Sequence, residues 1–429
     1  MAKRLEPKKE SIEPHLVMAQ SLSSIAPLGS VSAYLTFALG LSLASTSLAS
    51  PLGVLIYLTW VLIGYRYSKK IASTGGIYEF ARSAAGDLIG KISGWLYWVS
   101  YMIYLPSVTT YLAYAAFPAE FQASSMVISI IEIAVAVIMI LLLLSGIKPP
   151  LYYALATSLI EVVLIMILGI KVLEVTGIHP ISLTVPQSLF WQGALGVAFT
   201  LAGGGATFFL GYEAKGRGET VGKSYLIAFF IASIAVSFAA YFEVAAAGFS
   251  NAGVQSLLNI TAFPGFYLAE KYVNHTFALL IWIFTLNSLF GSGLAAYIAL
   301  SRLTYTFYNG NMLKSILTIA VIFLVFNVFG GIANLYNSSI LPLLYQYTTE
   351  ASLVTLFASH AIVSAVYPLF TRRELKQTAL DYFLSIFSTV LMGYGLYSNI
   401  IPFSYPLSLV AIVSIILSVI IGVIHHFLK

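Results

Sequence analysis

Long hydrophobic runs, separated by short polar segments, make up most of the chain. A run of about 20 apolar residues is long enough to cross the apolar core of a bilayer as an α-helix. Twelve such runs follow one another, at 16–41, 51–68, 91–117, 124–145, 151–174, 191–212, 225–249, 274–300, 315–335, 350–370, 379–397 and 407–428. No polar segment between them is long enough to form a soluble domain. The pattern predicts an all-α polytopic membrane protein with 12 transmembrane helices.

Composition agrees with this prediction and excludes several functions. Of the 429 residues, 59% are hydrophobic and 9% are charged, whereas soluble proteins carry about 25% charged residues. The absence of cysteine excludes disulfides, thiolate metal sites and cysteine nucleophiles. No His–carboxylate cluster has metal-ligand spacing, and no phosphate-binding loop is present. We therefore expect that the protein is not an enzyme and that it has no metal site and no cofactor.

Basic residues indicate how the chain is oriented in the membrane. If the N-terminal tail, 1–15, is cytoplasmic, every Lys and Arg except Lys171 and Lys271 falls in or beside a cytoplasmic segment. An excess of Lys and Arg marks the cytoplasmic side. We therefore expect a plasma-membrane protein with both termini in the cytoplasm. The net charge of +5 follows from this topology and does not indicate a nucleic-acid partner.

Two of the predicted spans contain residues that interrupt a helix. The sixth span contains Gly203, Gly204 and Gly205 in a row, and each glycine costs a helix about 1 kcal/mol relative to alanine. The first span contains Pro27 and Gly29 in the stretch SSIAPLGS. Backbone groups freed by a break inside a membrane are tolerated where they line a cavity or bind a ligand. Broken spans are typical of secondary transporters; a glycine-rich helix packed closely on its neighbours is the alternative.

The positions of the two breaks predict an internal repeat. They lie in the first and the sixth span, so equivalent positions are five spans apart. Because five is odd, the second copy is inverted in the membrane. We predict one five-helix repeat over 16–174 and an inverted one over 191–370, with two appended helices in 371–429. The alternative is that Pro27 only kinks an ordinary helix.

Four stretches resemble the amino acid–polyamine–organocation (APC) superfamily of transporters. The loop STGGIYEFARSAAG and the following GKISGWLYWVSYMIY are similar to the family's Gly-Gly-x-Tyr loop and its third span. The sequence Gly211-Tyr212-Glu213 with the later Glu219, the stretch SRLTYTFYNG and the stretch SGIKPP also fit, in the family's order. The resemblance implies a LeuT-like fold of five plus five helices with broken helices 1 and 6, and transport of amino acids or related amines by alternating access.

The chain departs from the family at both breaks. The first span has APLGS in place of the common Gly-Ser-Gly, and the sixth has GGGAT where relatives are rich in aromatic residues. Both departures fall in the expected pocket, so the substrate cannot be taken from a relative.

A zwitterionic substrate needs partners for two opposite charges. Helix N-termini offer N–H groups and partial positive charge to a carboxylate, and helix C-termini offer carbonyl groups to an amine. We expect the N–H groups of Leu28, Gly29 and Ser30 to bind the carboxylate. Carbonyl groups are expected to bind the amine; these belong to Ala26, Gly203, Gly204, Gly205 and Ala206.

Aromatic residues provide candidates for a cavity wall and a gate. Tyr97, Tyr101 and Tyr104 share one face of the third span, and Tyr101 is the candidate for the wall. Packing, with hydroxyl groups paired between helices, is the alternative for most of this face. The resemblance implies an aromatic gate just after the second break, where Phe208 stands; a core or lipid-facing role is the alternative.

Coupling is predicted to depend on a carboxyl group inside the membrane. Ionisable residues within spans are costly and usually functional. Glu161 lies in the fifth span. The resemblance implies that some proton-coupled relatives carry a lysine at this position, and that the lysine takes the place of a sodium ion. We predict that Glu161 loads and releases a proton; a structural glutamate that bridges helices is the alternative. Asn287 and Ser288 are candidates to coordinate a cation or to bond the first span.

Together these observations predict a secondary active transporter of amino acids, coupled by proton symport. The expected partners are a small amino acid substrate, a proton or, as the alternative, a sodium ion, and the lipid bilayer. An amino acid or polyamine exchanger is the alternative within transport, although a carrier of cations is expected to place an acid against its substrate and neither break contains one. A non-transporting sensor or accessory subunit that retains the fold is the alternative outside transport.

Overall fold

The computed structural model describes residues 5–155, 158–308 and 310–428. Its first half contains α1 (Pro14–Ile25), α2 (Pro27–Ser30), α3 (Thr36–Ser42), α4 (Thr46–Ser68), α5 (Ile77–Ala85), α6 (Asp87–Tyr111), α7 (Ser125–Leu144), α8 (Lys148–Leu155) and α9 (Ser158–Thr176). Its second half contains α10 (Gln187–Thr200), α11 (Arg217–Ala246), α12 (Asn251–Ile260), α13 (Pro264–Tyr272), α14 (His275–Phe307), α15 (Met312–Tyr336), α16 (Ile340–Glu374), α17 (Ala379–Ile400) and α18 (Leu407–Phe427). Shorter helical segments are the π-helices Val31–Leu35 and Leu112–Ala116 and the 3₁₀-helices Leu43–Ser45 and Ala202–Leu210.

The predicted all-helical membrane architecture is confirmed. Within the described residues, 10 helical stretches are long and apolar enough to cross a membrane. The first of them, Pro14–Ser68, is 55 residues long, more than twice the roughly 20 residues that one crossing needs. It is interrupted at Leu43, where φ is 50°, and the helices on either side of that residue both pack against α10. The count of 12 spans and the repeat boundaries stay predictions.

Hydroxyl side chains hold α6 against α16. Ser93 Oγ lies 2.9 Å from Ser359 Oγ, and Ser107 Oγ lies 2.9 Å from Thr349 Oγ1. Between these two contacts, Ser100 Oγ donates to the carbonyl of Ser352 on α16 at 2.8 Å. Small residues let membrane helices approach closely, and their hydroxyl groups bond across the interface. Hydroxyl contacts therefore join α6 to α16 along 93–107 of α6.

A short strap joins the N-terminal segment to the end of the 3₁₀-helix region. Ile12 donates its N–H to the carbonyl of Glu213 at 2.9 Å, and Lys215 donates its N–H to the carbonyl of Ile12 at 2.8 Å. These bonds form an isolated parallel β-bridge between Ile12 and Ala214. Ile12 is fully buried beneath it. We call the side of the bundle that carries this strap the N-terminal face.

Candidate functional site

The first break lies at Ala26, between α1 and α2. Ala26 has a φ of 51°, a left-handed conformation that costs an L-residue roughly 1–2 kcal/mol. Pro27 cannot donate a backbone hydrogen bond, so it begins a new helix rather than continuing the old one. Ser30 supports the break, because its Oγ donates to the carbonyl of Ile25 at 2.5 Å and its N–H to that of Ala26 at 2.7 Å.

The N-terminus of α2 is in contact with a buried carboxyl group. Leu28 donates its N–H to Glu161 Oε2 at 3.4 Å, and Gly29 donates its N–H to Ser288 Oγ at 3.0 Å. Ser288 in turn donates to Glu161 Oε2 at 2.5 Å. All of these side chains are at most 3% exposed. The Glu161 carboxyl group thus lies where the sequence suggests a substrate carboxylate.

The second break begins at Leu201, where α10 gives way to the 3₁₀-helix Ala202–Leu210. Its first carbonyl groups are met by side chains from other helices. Tyr57 Oη donates to the carbonyl of Ala202 at 2.7 Å, and Ser24 Oγ donates to that of Gly203 at 2.6 Å. A Cβ atom on Gly203 would lie 1.8 Å from the carbonyl oxygen of Ser24. Only glycine allows the two broken segments to approach this closely.

A small cavity lies where the two breaks meet. Its volume is about 20 Å³, room for roughly one water molecule. Of the predicted substrate-binding residues, Ser30, Tyr101 and Gly203 line it, and Tyr101 Oη donates to the carbonyl of Gly203 at 3.2 Å. The lining residues are Ser24, Ile25, Ser30, Tyr34, Ser100, Tyr101, Tyr104, Phe199, Thr200, Ala202, Gly203, Ser352 and Leu356. Ser24 and Ile25 lie in the stretch SSIAPLGS, and Ser100 and Tyr104 lie in the third span. No signal in the sequence marks the rest, which include Tyr34, Ser352 and Leu356.

Three of the remaining substrate candidates face other parts of the bundle. A Cβ on Gly204 would lie 2.3 Å from the ring of Tyr225, so this glycine allows a close helix contact. A Cβ on Gly205 would meet tyrosine hydroxyl groups at 3.7–3.9 Å. Ala206 is fully buried on the same 3₁₀-helix and does not line the cavity.

Aromatic rings close the cavity on both sides. Away from the N-terminal face, Tyr34 lies 5.4 Å from both Tyr104 and Phe199, measured between ring centroids. Towards the N-terminal face, Tyr101 stacks on Tyr97 at 4.4 Å, and Phe209 follows at 5.0 Å from Tyr97. Aromatic rings thus border the cavity on the side of the N-terminal face and on the opposite side.

Phe208, the predicted gate, lies deeper towards the N-terminal face than the cavity. Its ring packs 5.1 Å from Phe80 and 5.2 Å from Tyr225. A Cβ on Gly64 would lie 2.5 Å from this ring. Phe208 therefore packs among these neighbours and does not line the cavity; its role as a gate stays a prediction.

The coupling candidates separate into two groups. Glu161 and Ser288 meet at the N-terminus of α2, as described above. Asn287 points elsewhere: it is half-buried and lines a groove with Tyr153 and Trp282 on the outside of α14. Neighbouring positions on one helix thus serve different surfaces, which the sequence alone does not reveal.

A buried ion pair lies at the N-terminal face. Arg302 Nε and Nη2 lie 2.9 and 3.3 Å from the two oxygens of Glu213, and both side chains are at most 3% exposed. Outside it lies an exposed pair in which Lys215 donates to Glu13 and thereby lowers the pKa of the Glu13 carboxyl. The Gly-Tyr-Glu motif thus marked a structural ion pair, although its partner lies 89 residues away.

Two curated relatives match part of the chain. The arginine/ornithine antiporter ArcD1 of Lactococcus lactis subsp. cremoris (strain MG1363) is 26% identical over 166 residues, which is 34% of this chain and 29% of the relative. The arginine/ornithine antiporter ArcD2 of the same strain is 27% identical over 161 residues, 34% of this chain and 31% of the relative. The matches thus span about a third of each relative's length. No protein-family profile matches the chain.

Solved transporter structures match almost the whole chain. Mhp1, a nucleobase-cation-symport-1 family transporter in a closed conformation with bromovinylhydantoin bound, has a TM-score of 0.52 at 13% identity and covers 99% of this chain and 95% of its own. The Eremococcus coleocola manganese transporter, in complex with an aromatic bis-isothiourea substituted compound, has a TM-score of 0.58 at 14% identity over 98% and 97%. The chain has the fold of these transporters. At these identities the likeness shows the fold and not the substrate.

The comparisons confirm the predicted LeuT-like fold and the resemblance to APC transporters. All four proteins are transporters and none is an enzyme, which agrees with the expectation for this chain.

Proposed function

We propose that this protein is a secondary active transporter of amino acids or related amines that works by alternating access. The observation that carries the proposal is the contact between the two helix breaks at a closed cavity in the interior of the bundle. Broken spans are costly in lipid, because their freed backbone groups need partners. A sensor or accessory subunit that moves no substrate has no need to maintain two of them.

The cavity favours a small substrate without a strongly charged side chain. Its lining carries serine, threonine and tyrosine hydroxyl groups and backbone carbonyls, and none of the described residues that line it is Asp, Glu, Lys or Arg. Carbonyl groups at Ala202 and Gly203 suit the amino group of a zwitterion. The volume of about 20 Å³ is too small for any amino acid, so binding requires the aromatic closures to move.

Proton coupling is proposed to act through Glu161. Its carboxyl group accepts from Ser288 and from the N–H of Leu28, donors that a substrate carboxylate at the N-terminus of α2 would also need. A proton on Glu161 removes the negative charge that holds these donors. Substrate and proton therefore load together, which is symport. The N-terminal face is proposed to be cytoplasmic, because Lys and Arg are concentrated there.

Exchange of cationic substrates is the second candidate. It is favoured by the two partial relatives, both of which are arginine/ornithine antiporters. The uncharged cavity lining speaks for the first candidate. In this second reading the buried carboxyl group of Glu161 serves as the partner of a cationic side chain.

The test is uptake of labelled amino acids into proteoliposomes, with and without an inward proton gradient. We expect gradient-driven uptake in the wild type, and in Glu161→Gln we expect substrate binding without stimulation by the gradient. Glu132→Gln is the matched control, since Glu132 is also fully buried but bonds Thr110, away from the cavity. Uptake that requires preloaded substrate would establish exchange. A folded protein that binds and moves no member of the panel would refute transport of amino acids and favour the accessory-subunit alternative.

A further inference from the structure

A second polar site lies one step below the cavity, on the side of the N-terminal face. Tyrosines from three helices direct their hydroxyl groups to the same point beside the 3₁₀-helix: Tyr57 on α4, Tyr97 on α6 and Tyr225 on α11. A Cβ atom on Gly205 would lie 3.9, 3.7 and 3.9 Å from these three oxygens. All three side chains are fully buried. We call these three residues and Gly205 the tyrosine cage.

Most of the polar groups at the tyrosine cage have no partner. Tyr57 donates to the carbonyl of Ala202. The hydroxyl groups of Tyr97 and Tyr225 and the Trp60 indole N–H make no hydrogen bond of normal geometry within the part of the chain that the structure describes. Their polar neighbours are one another: Tyr225 lies near Tyr57 and Trp60, and Tyr97 lies near Tyr101. Burying a hydroxyl group without a hydrogen-bond partner is unfavourable, because the group loses its bonds to water. Several buried polar groups that lack a well-formed hydrogen bond at one point indicate a binding site for a polar group of a ligand.

The chemistry of the tyrosine cage selects an uncharged occupant. The cage itself contains hydroxyl groups, which both donate and accept. His360 stacks on Trp60 at 3.9 Å and completes the wall, fully buried and with neither ring nitrogen bonded within the described chain. Because no carboxylate, lysine or arginine belongs to this group of residues, an ion would lie here uncompensated. A hydroxyl or carboxamide group would form hydrogen bonds with the unpaired polar groups and would not bury a charge.

The cage adjoins the cavity through Tyr101. Tyr101 lines the cavity and stacks on Tyr97 of the cage at 4.4 Å. Its hydroxyl group donates to the carbonyl of Gly203 at 3.2 Å, and Gly205 is two residues further along the same 3₁₀-helix. A substrate whose main-chain groups sit at the two breaks would reach the cage with a short side chain once this bond opens.

We propose that the tyrosine cage is a side-chain subsite that binds the hydroxyl or carboxamide tip of the substrate. This inference rests on the proposed function, amino acid transport, and names the substrate class: small amino acids with an uncharged hydrogen-bonding side chain. A site built to bond a substrate hydroxyl group discriminates against an isostere that lacks it, because the polar groups of the site are then left unpaired.

Threonine and valine are the test pair, because they have nearly the same shape. We expect the purified protein to bind threonine about tenfold more tightly than valine, the equivalent of about one hydrogen bond. Tyr97→Phe, Tyr225→Phe and Gly205→Ala should each reduce this ratio to about one. The alanine methyl group at 205 meets its neighbours at ordinary contact distances of 3.7–3.9 Å, so Gly205→Ala should melt at the wild-type temperature.

Tyr297→Phe is the control, since Tyr297 is also fully buried but its hydroxyl group donates to the carbonyl of Ile316 between α14 and α15. It should leave the ratio unchanged. Equal binding of threonine and valine by the wild type would refute the proposed subsite but would not contradict amino acid transport. A ratio that persists in the cage variants would show that the cage holds only water or serves packing. Binding of no amino acid at all would overturn both proposals.

Discussion

The ion pair between Glu213 and Arg302 provides a quantitative test of how the N-terminal face closes. Both side chains are at most 3% exposed, and two hydrogen bonds join them at 2.9 and 3.3 Å. Removing one partner of a buried pair leaves an uncompensated charge, which costs about 3–5 kcal/mol. We expect Glu213→Gln and Arg302→Met each to lower the free energy of unfolding by roughly this amount. The double variant should recover most of the loss, because no charge then stays buried.

The assay is unfolding in mixed detergent and SDS, read as a double-mutant cycle over the four proteins. The matched control is the pair Arg82–Glu79, whose atoms lie 3.3 Å apart but whose side chains are 51% and 25% exposed. For Arg82→Met we expect a loss below about 1 kcal/mol, since water screens exposed pairs. Equal costs for Arg302→Met and Arg82→Met would contradict the burial on which the argument depends.

The same variants test whether the pair closes the cavity. The chain contains no cysteine, so Ala202→Cys on the cavity wall would report access without background labelling. We expect Glu213→Gln to speed labelling of this cysteine by a reagent applied at the N-terminal face. Unchanged labelling in a destabilised variant would refute the closing role and leave the ion pair as a purely structural contact.

Three further predictions concern the supports of the site. Gly203→Ala should lower the free energy of unfolding by about 1–3 kcal/mol and abolish uptake, because its Cβ would lie 1.8 Å from the carbonyl oxygen of Ser24. Gly40→Ala is the control: its Cβ would have no atom within 4 Å, so melting and uptake should both be unchanged. Ser100→Leu should lower the melting temperature by forcing α6 from α16; no change would exclude close packing there. Deleting 5–13 should speed cysteine labelling at the N-terminal face, and unaltered labelling would show that the strap holds nothing shut.

The breaks could be read from the sequence because their causes are local. Pro27 lacks an N–H group and clashes with the preceding turn, and the structure places the interruption at the adjacent Ala26. The three consecutive glycines likewise fall in the 3₁₀-helix that follows α10. Their individual roles were beyond reach, since Gly203 meets the backbone of α1 whereas Gly205 faces three tyrosines. Those neighbours are set by tertiary packing.

Contacts between distant helices could not be predicted for the same reason. Nearby Lys215 and Arg217 are the obvious partners of Glu213 in the sequence, yet the buried partner is Arg302 on α14. Hydropathy also gives little help in a membrane bundle, because lipid-facing and core-facing sides of a helix are both apolar. Tyr34 lines the cavity and Tyr225 belongs to the tyrosine cage, but no periodic pattern of hydrophobic and polar residues marks either of them.

The contact between Glu161 and α2 bears on symport versus exchange. An exchanger must prevent the empty carrier from reorienting, for otherwise net flow occurs without a counter-substrate. In the proposed mechanism the Glu161 carboxyl group binds Leu28 and Ser288 when no substrate is present, and so satisfies the helix end that the substrate would otherwise fill. The empty, unprotonated carrier then has no orphaned donors to hold it in one orientation. Such a carrier would return empty, so the proposed mechanism predicts net uptake driven by protons without a counter-substrate.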